Sequence, residues 1–143
     1  MTTNTEDRAL NLLLVDDDDI DVMTVRRAFA KARLTNPLYV ASDGVEALRM
    51  LRDGSVPAAR RLVLLDINMP RMNGIEFLRE IRADEALRNT AVVVLTTSSA
   101  DEDKMNAYEF NVAGYLIKPV TFSTFVEAMS TLDRYWTLVE MPS

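Results

Sequence analysis

The feature that most constrains the fold is a series of five short apolar runs spaced along the chain. Several runs are continuously apolar rather than alternating, which is typical of strands with both faces buried in a parallel sheet. The predicted strands are Asn11–Val15, Leu38–Ala41, Leu62–Leu65, Ala91–Leu95 and Gly114–Ile117. Successive parallel strands need a crossover between them, so the intervening segments should be helices.

The segments between the runs carry apolar residues at helical spacing. In the first of them, Ile20, Met23, Ala28 and Phe29 recur in this way, with Asp18 or Asp19 as the N-cap. Four further helices are predicted after Asp43-Gly44, after Asn73-Gly74, from Asp101 to Glu109, and from Phe122 to Val139. Alternating strands and helices predict an α/β fold of three layers, with a doubly wound five-stranded parallel sheet.

Composition narrows the possible functions. The chain has 143 residues, which suits one domain, and it contains neither cysteine nor histidine, so thiolate and imidazole chemistry are excluded. A net charge of −6 argues against nucleic-acid binding. No apolar stretch reaches the roughly 18 residues of a membrane span, and the start lacks a secretory pattern, so we expect a cytoplasmic protein. Residues 1–8 are predicted to be flexible, and 9–143 to form the domain with a short C-terminal tail.

Polar residues follow four of the five predicted strands. Asp16 and Asp17 follow the first, Asp66 the third, Thr96 the fourth and Lys118 the fifth. Each alone is most simply read as a helix cap, a turn residue or a surface charge. Ligands of open parallel sheets, however, bind beyond the carboxyl ends of the strands, and these residues share that edge.

Three carboxylates about 5 Å apart repel by roughly 3 kcal/mol per pair at an effective dielectric constant of 20. Either protonation or a hard divalent cation relieves that repulsion, and oxygen ligands favour Mg²⁺. Such a cation also serves phosphoryl transfer. We therefore interpret Asp66 as a nucleophile that forms an acyl phosphate, Asp16 and Asp17 as cation ligands, and Thr96 and Lys118 as contacts for phosphoryl oxygens.

Four motifs at these strand ends resemble the receiver domains of two-component response regulators. They are Leu-Leu-Leu-Val-Asp-Asp at 12–17, Leu-Leu-Asp-Ile-Asn-Met-Pro-Arg-Met-Asn-Gly at 64–74, Val-Leu-Thr-Thr at 94–97 and Gly-Tyr-Leu-Ile-Lys-Pro at 114–119. The resemblance covers residues 9–136 and implies the flavodoxin-like strand order 2-1-3-4-5.

The resemblance also implies a donor and a metal site. The phosphoryl group would come from a sensor histidine kinase or a histidine phosphotransfer protein. Mg²⁺ would be bound by Asp17, Asp66 and the backbone carbonyl of Asn68, with Asp16 acting mainly through water. Such a chain is a signalling phosphoacceptor rather than an enzyme, although it catalyses its own phosphorylation and slow dephosphorylation.

Two further roles are implied by the resemblance. Thr96 would move toward the phosphoryl group and Tyr115 would be a switch aromatic, although an ordinary half-buried strand residue is the alternative for Tyr115. The Lys118–Pro119 peptide bond would be cis.

The sequence is most similar to small single-domain regulators that partner bacterial phytochromes. It shares with them Asp-Gly-Val-Glu-Ala-Leu at 43–48, Leu-Thr-Thr-Ser at 95–98, Asn68 and an aromatic-rich tail. Output should then be a protein contact or self-association. A homodimer through the fourth helix, fifth strand and fifth helix would use Tyr135, Trp136, Leu138 and Val139, unless these side chains pack on their own sheet.

Three other functions fit parts of the pattern. A Mg²⁺-dependent phosphohydrolase of the haloacid-dehalogenase type uses Asp-x-Asp, whereas this chain has Asn68 as the third residue. An adaptor that has lost the switch should lack one of the five site residues, and all five are present. Flavin binding needs a phosphate loop after the first strand, where Asp16–Asp19 would repel phosphate.

Overall fold

The chain forms a sheet of five strands with helices between them. A computed structural model describes residues 11–31, 38–58, 61–67, 69, 72–96, 110–118, 120–121, 123–124 and 126–127. The elements in chain order are β1 (Asn11–Val15), α1 (Asp19–Lys31), β2 (Leu38–Ala41), α2 (Gly44–Arg52), β3 (Arg61–Asp66), α3 (Gly74–Ala83), β4 (Ala91–Thr96) and β5 (Gly114–Ile117).

All neighbouring strands pair in parallel, in the order β2-β1-β3-β4-β5. The predicted fold class and strand order are therefore confirmed. The bounds of β1, β2 and β5 are as predicted, while β3 extends to include Arg61 and Asp66 and β4 extends to Thr96. The extensions matter because Asp66 and Thr96 are members of the sheet, and their backbones are fixed by strand pairing.

The sheet separates two apolar layers, so the molecule has three layers. Alternate residues of each strand point to opposite faces. In β1, Leu13 and Val15 pack in the cluster that includes residues of α2 and α3, whereas Leu12 and Leu14 pack in the cluster that includes residues of α1. Both faces of the central strands are buried, which explains their continuously apolar sequences.

Helix α1 faces the sheet with different residues from those predicted. Its buried residues are Val25, Ala28 and Phe29. Ile20 is 72% exposed and Met23 is 52% exposed, so these two members of the predicted helical pattern do not face the core. Ala28 and Phe29 were assigned correctly. Of the two candidate caps, Asp18 caps the helix, because its side chain accepts from the Ile20 N–H at 2.9 Å.

Arg82, near the end of α3, joins that helix to the segment before β5. Its guanidinium donates to the carbonyls of Phe110 at 2.7 Å and Asn111 at 3.3 Å, and to those of Arg88 and Thr90 at 2.9 Å. Asn111 has a φ of 54°, which places it in the left-handed region. The approach to β5 is therefore fixed by side-chain bonds to its carbonyls.

Several predictions concern residues outside the described part of the chain. These are the flexible N-terminus, the helix at 101–109, most of the last helix, Asn68, Pro119 and the tail residues 135–139. Residues 123, 124, 126 and 127 are helical, as predicted for the last helix. Within the described ranges, no helix is both long and apolar enough to cross a membrane.

Candidate functional site

The polar residues predicted to meet at the carboxyl edge of the sheet do meet there. Asp16 follows β1, and its N–H donates to the Ala41 carbonyl at 3.0 Å. Asp66 ends β3 and Thr96 ends β4. Asp16, Asp66 and Thr96 are all buried, with exposed fractions of 2%, 5% and 1%. A buried polar group is costly unless it is paired, so the charged neighbours of these side chains matter for the fold.

Lys118 lies at the centre of the charged groups. Its backbone N–H donates to the Thr96 carbonyl at 2.8 Å, which continues the β4–β5 pairing beyond β5. Its Nζ lies 3.2 Å from Asp66 Oδ1, 3.7 Å from Asp16 Oδ2 and 2.7 Å from Asp21 Oδ2. One ammonium group therefore faces three carboxylates.

Asp21 is a member of this cluster that sequence reasoning missed. It lies in the first turn of α1, and its side chain is 21% exposed. A signal was present in the sequence, since Asp21, Val25 and Ala28 follow the i, i+4, i+7 spacing of one helix face. Asp17 is exposed and is not among the three clustered acids, so its role as a cation ligand stays a prediction.

The cluster fits a divalent cation. Carboxylate oxygens of Asp16, Asp21 and Asp66 all lie within 4.8 Å of one another. Asp16 Oδ1 accepts from the Asp18 N–H at 2.9 Å, but its Oδ2 is buried without a hydrogen-bond partner in the described part of the chain. An unpartnered buried carboxylate oxygen beside two further acids is a ligand set that suits a hard cation such as Mg²⁺.

Burial and neighbouring charges shift the pKa values of the residues in this cluster. Burial raises the pKa of Asp16 to about 7, and the nearby Asp21 and Asp66 carboxylates add to the rise against the lowering effect of the Asp18 N–H. Burial alone would raise the pKa of Asp21, but its contacts with Lys118 and Asp16 outweigh this and lower it. Burial would lower the pKa of Lys118, but the three carboxylates raise it above its ordinary value, so Lys118 stays charged.

The backbone after Asp66 is held by the start of α3. The Gly74 N–H donates to the Ile67 carbonyl at 3.0 Å. A Cβ atom at Gly74 would lie 2.7 Å from Ile67 Cα and 3.2 Å from the Asp66 carbonyl oxygen, so only glycine allows this approach. Asn73 caps α3 and forms a capping box with Glu76, which fixes where the helix begins. Asn73 thus fixes the start of α3, where Gly74 contacts the backbone of Ile67 after the candidate nucleophile.

The candidate switch residues lie on β4 and β5, the two strands that follow β3 in the sheet. Tyr115 is half-buried in β5, opposite Val94, and packs against the apolar cluster on the α2 and α3 face. Thr96 is buried at the end of β4, opposite Ile117. Their roles in a switch stay predictions, as do those of Asn68 and the Lys118–Pro119 bond.

Similar proteins agree with the geometry. The family "Response regulator receiver domain" matches residues 12–130. The probable methanogenesis regulatory protein FilR2 of Methanothrix harundinacea (strain 6Ac) is 39% identical over 127 residues, which are 87% of this chain and 82% of FilR2. Response regulator Rcp1 of Synechocystis sp. (strain ATCC 27184 / PCC 6803 / Kazusa) is 31% identical over 128 residues, 87% of each chain.

Solved structures are similar over the same region. The bacteriophytochrome response regulator RtBRR is 35% identical with a TM-score of 0.78, covering 94% of this chain and 84% of RtBRR. The Mn²⁺-bound form of Rcp1 has a TM-score of 0.66 and covers 92% of this chain and 98% of Rcp1. The strand order, the acidic edge with its lysine and these similarities agree, and the chain belongs to the response regulator receiver domain family of two-component signalling.

Proposed function

We propose that Asp66 accepts a phosphoryl group, in a Mg²⁺-dependent reaction, from a sensor histidine kinase or a histidine phosphotransfer protein. The observation that carries this proposal is the buried Asp66 carboxylate with the Lys118 ammonium 3.2 Å from its Oδ1, at an edge where three acids converge. Family membership supports the donor class. The proposed setting is the cytoplasm.

The chemistry needs no general base. An Asp66 carboxylate oxygen forms a bond to phosphorus while the bond from phosphorus to the donor's imidazole nitrogen breaks, and the electron pair leaves with the donor. Because a carboxylate attacks through an oxygen that carries no proton, no proton has to be removed in the step. The chain's own contribution is to position the carboxylate and to stabilise charge on the transferring group.

Separate residues would serve the phosphoryl group and the cation. Lys118 Nζ and the Thr96 hydroxyl would contact phosphoryl oxygens. Asp16, Asp17, Asp66 and the carbonyl of Asn68 would hold Mg²⁺, whose charge would offset that of the acids. The buried Asp16 Oδ2, which has no hydrogen-bond partner among the described residues, supports this ligand set. The same groups would catalyse the slow loss of the phosphoryl group, so the chain is a signalling phosphoacceptor rather than an enzyme with an external substrate.

The test is phosphorylation by a small donor. Acetyl phosphate with Mg²⁺ should add the mass of one phosphoryl group, and chelation of Mg²⁺ should prevent it. Asp66→Asn should abolish the addition because the amide is not a nucleophile. Asp84→Asn is the matched control, since Asp84 follows α3 and pairs with the exposed Arg52 away from the site. Intact-mass spectrometry of both variants decides, and labelling of the Asp66→Asn protein would refute the assignment.

Phosphorylation would be read through Thr96 and Tyr115, by a protein contact or self-association. The similarity to RtBRR, whose name identifies it as a bacteriophytochrome response regulator, supports a phytochrome as the kinase.

A homodimer would use the tail residues Tyr135, Trp136, Leu138 and Val139. In sedimentation, Trp136→Glu should shift the protein toward monomer because a buried charge opposes association. Identical sedimentation of the variant and the wild type would rule out this interface.

A further inference from the structure

The shortest contact of Lys118 is with a residue outside the receiver motifs. Lys118 Nζ lies 2.7 Å from Asp21 Oδ2, closer than to Asp66 or Asp16. The Lys118 side chain is 17% exposed and that of Asp21 is 21% exposed, so the pair is largely sheltered from water. A sheltered ion pair is screened less by salt than a surface pair. In this structure, therefore, Asp21 is the main partner of the ammonium group.

The start of α1 fixes Asp21 in this place. The Asp18 side chain caps the helix directly after the Asp16-Asp17 turn, so the first helical turn stands over the edge of the sheet. On this turn Ile20 is exposed, whereas Asp21 is half-buried. Negative charge is also favoured at a helix N-terminus. Asp21 therefore reaches the ammonium from a rigid element rather than from a loop.

A phosphoryl group on Asp66 would meet this pair. Its oxygens carry negative charge and need the ammonium that Asp21 already holds. An ammonium group interacts most strongly with the anion nearest to it. A close contact with one carboxylate therefore makes the group less available to another anion. The negative charge of Asp21 and that of the phosphoryl group thus compete for Lys118.

We propose that Asp21 is a positioning residue, which holds the Lys118 ammonium in the unphosphorylated protein and competes with the phosphoryl group for it. The inference rests on the proposed acceptor function and adds a residue that sets how readily the site takes up a phosphodonor. Asp21 acts through Lys118 and does not contact the reacting phosphorus.

One alternative must be separated from this proposal. The Asp21 carboxylate also lies within 4.8 Å of those of Asp16 and Asp66, so it could act on a bound cation or on the phosphoryl group directly. An effect that acts through Lys118 disappears when Lys118 is removed, whereas an effect of the Asp21 charge on the cation or phosphoryl group persists. A double-mutant cycle distinguishes the two.

The experiment measures initial rates of Asp66 labelling by acetyl phosphate at saturating Mg²⁺, over a range of donor concentrations. The proteins are the wild type, Asp21→Asn, Lys118→Ala and the double variant. We expect Asp21→Asn to lower the half-saturating donor concentration by about two- to tenfold, the usual range for a partly sheltered charge pair. Most of that change should be absent when Asp21→Asn is introduced beside Lys118→Ala.

Two variants control for charge and for shape. Asp19→Asn removes one negative charge from an exposed position of the same helical turn and should leave the half-saturating concentration unchanged. Asp21→Glu keeps the carboxylate and should restore part of the wild-type value. No effect of Asp21→Asn, or an equal effect with and without Lys118, would overturn the proposal.

Urea unfolding of the same four proteins separates failure of this inference from failure of the acceptor function. A coupling between positions 21 and 118 in unfolding, without a coupling in labelling, would show a purely structural pair and overturn the inference alone. If the four proteins show the unfolding coupling but the wild type is not labelled at Asp66, the acceptor function is overturned, and the competition with it.

Discussion

At the scale of single residues, strand ends were sufficient to predict most of the charged site. Asp16, Asp66, Thr96 and Lys118 follow continuously apolar runs, and parallel pairing brings the ends of those runs to one edge. Asp21 could not be placed in this way, because its position depends on the rotation of α1. The spacing pattern of the first helix included Ile20 and Met23, which are exposed, and did not include Asp21. The buried residues of α1 are Val25, Ala28 and Phe29, and the half-buried Asp21 has the spacing of the same helix face.

Asp16 should make the unfolding free energy of the protein depend on pH. Its pKa is raised from 3.8 to about 7 in the folded protein. Between these values the folded state binds the extra proton, so without a divalent cation the unfolding free energy should fall as pH rises from about 4 to 7. Each unit of pKa shift corresponds to about 1.4 kcal/mol, so the fall should be on the order of 1 to 4 kcal/mol.

The opposite contribution of Asp21 lies in a different pH range. Its lowered pKa adds stability that is present above 3.8 and is lost only as pH falls below that value.

Urea unfolding from pH 5 to 7.5 in the presence of a chelator measures the Asp16 effect, and Asp16→Asn should remove most of it. Added Mg²⁺ should raise stability more at pH 7.5 than at pH 5, because binding displaces the proton. Equal slopes for the wild type and Asp16→Asn would contradict this account.

At the scale of elements, both the strands and the starts of the described helices were predictable, whereas the close approach of α3 to the sheet was not. Strand bounds follow directly from apolar runs, whereas a helix start depends on caps and on close approaches of backbone. Asn73-Gly74 was predicted as a turn before a helix, but the contact of Gly74 with Ile67 depends on how α3 sits on the sheet. That contact explains why the sequence requires glycine at this position.

Gly74→Ala tests the importance of this contact. The added Cβ would lie 2.7 Å from the Ile67 Cα, and backbone cannot move away as a flexible side chain can. We expect a loss of unfolding free energy of about 1–3 kcal/mol, typical of overpacking, and slower labelling of Asp66 because the loop after it must shift. Gly114→Ala is the matched control, since nothing lies within 4 Å of its added Cβ. Similar unfolding midpoints for the two variants would show that the contact is unimportant.

At the scale of the whole molecule, one sheet serves two apolar layers. Leu64 and Leu65 are neighbours in β3, yet they pack in different layers because alternate residues face opposite ways. The three-layer fold was predictable because continuous apolar runs indicate strands buried on both sides. The packing of α1 was not, since either rotation keeps some apolar residues at helical spacing.

Leu64→Ala and Leu65→Ala should show that the two layers unfold together. Each side chain is fully buried, so each variant should lose about 2–5 kcal/mol of unfolding free energy. Because β3 belongs to both layers, each variant should still unfold in one cooperative transition. Circular dichroism and amide hydrogen exchange of α1 and α3 should report the same midpoint. Separate midpoints for the two helices would show that the layers are independent.

The contacts at the two ends of β5 have a mechanical consequence. Before the strand, Arg82 holds the Phe110 and Asn111 carbonyls with a guanidinium that stays charged at any ordinary pH. After it, Lys118 is held by the carboxylates of Asp21 and Asp66, and the proposed phosphorylation of Asp66 would change the charge that the ammonium group faces. In the described sheet, β5 is an edge strand with β4 as its one neighbour. The start of β5 is therefore held by contacts that do not change, whereas the contacts at its end would change on phosphorylation. We expect the displacement of the strand on activation to increase from Gly114 through Tyr115 toward Lys118.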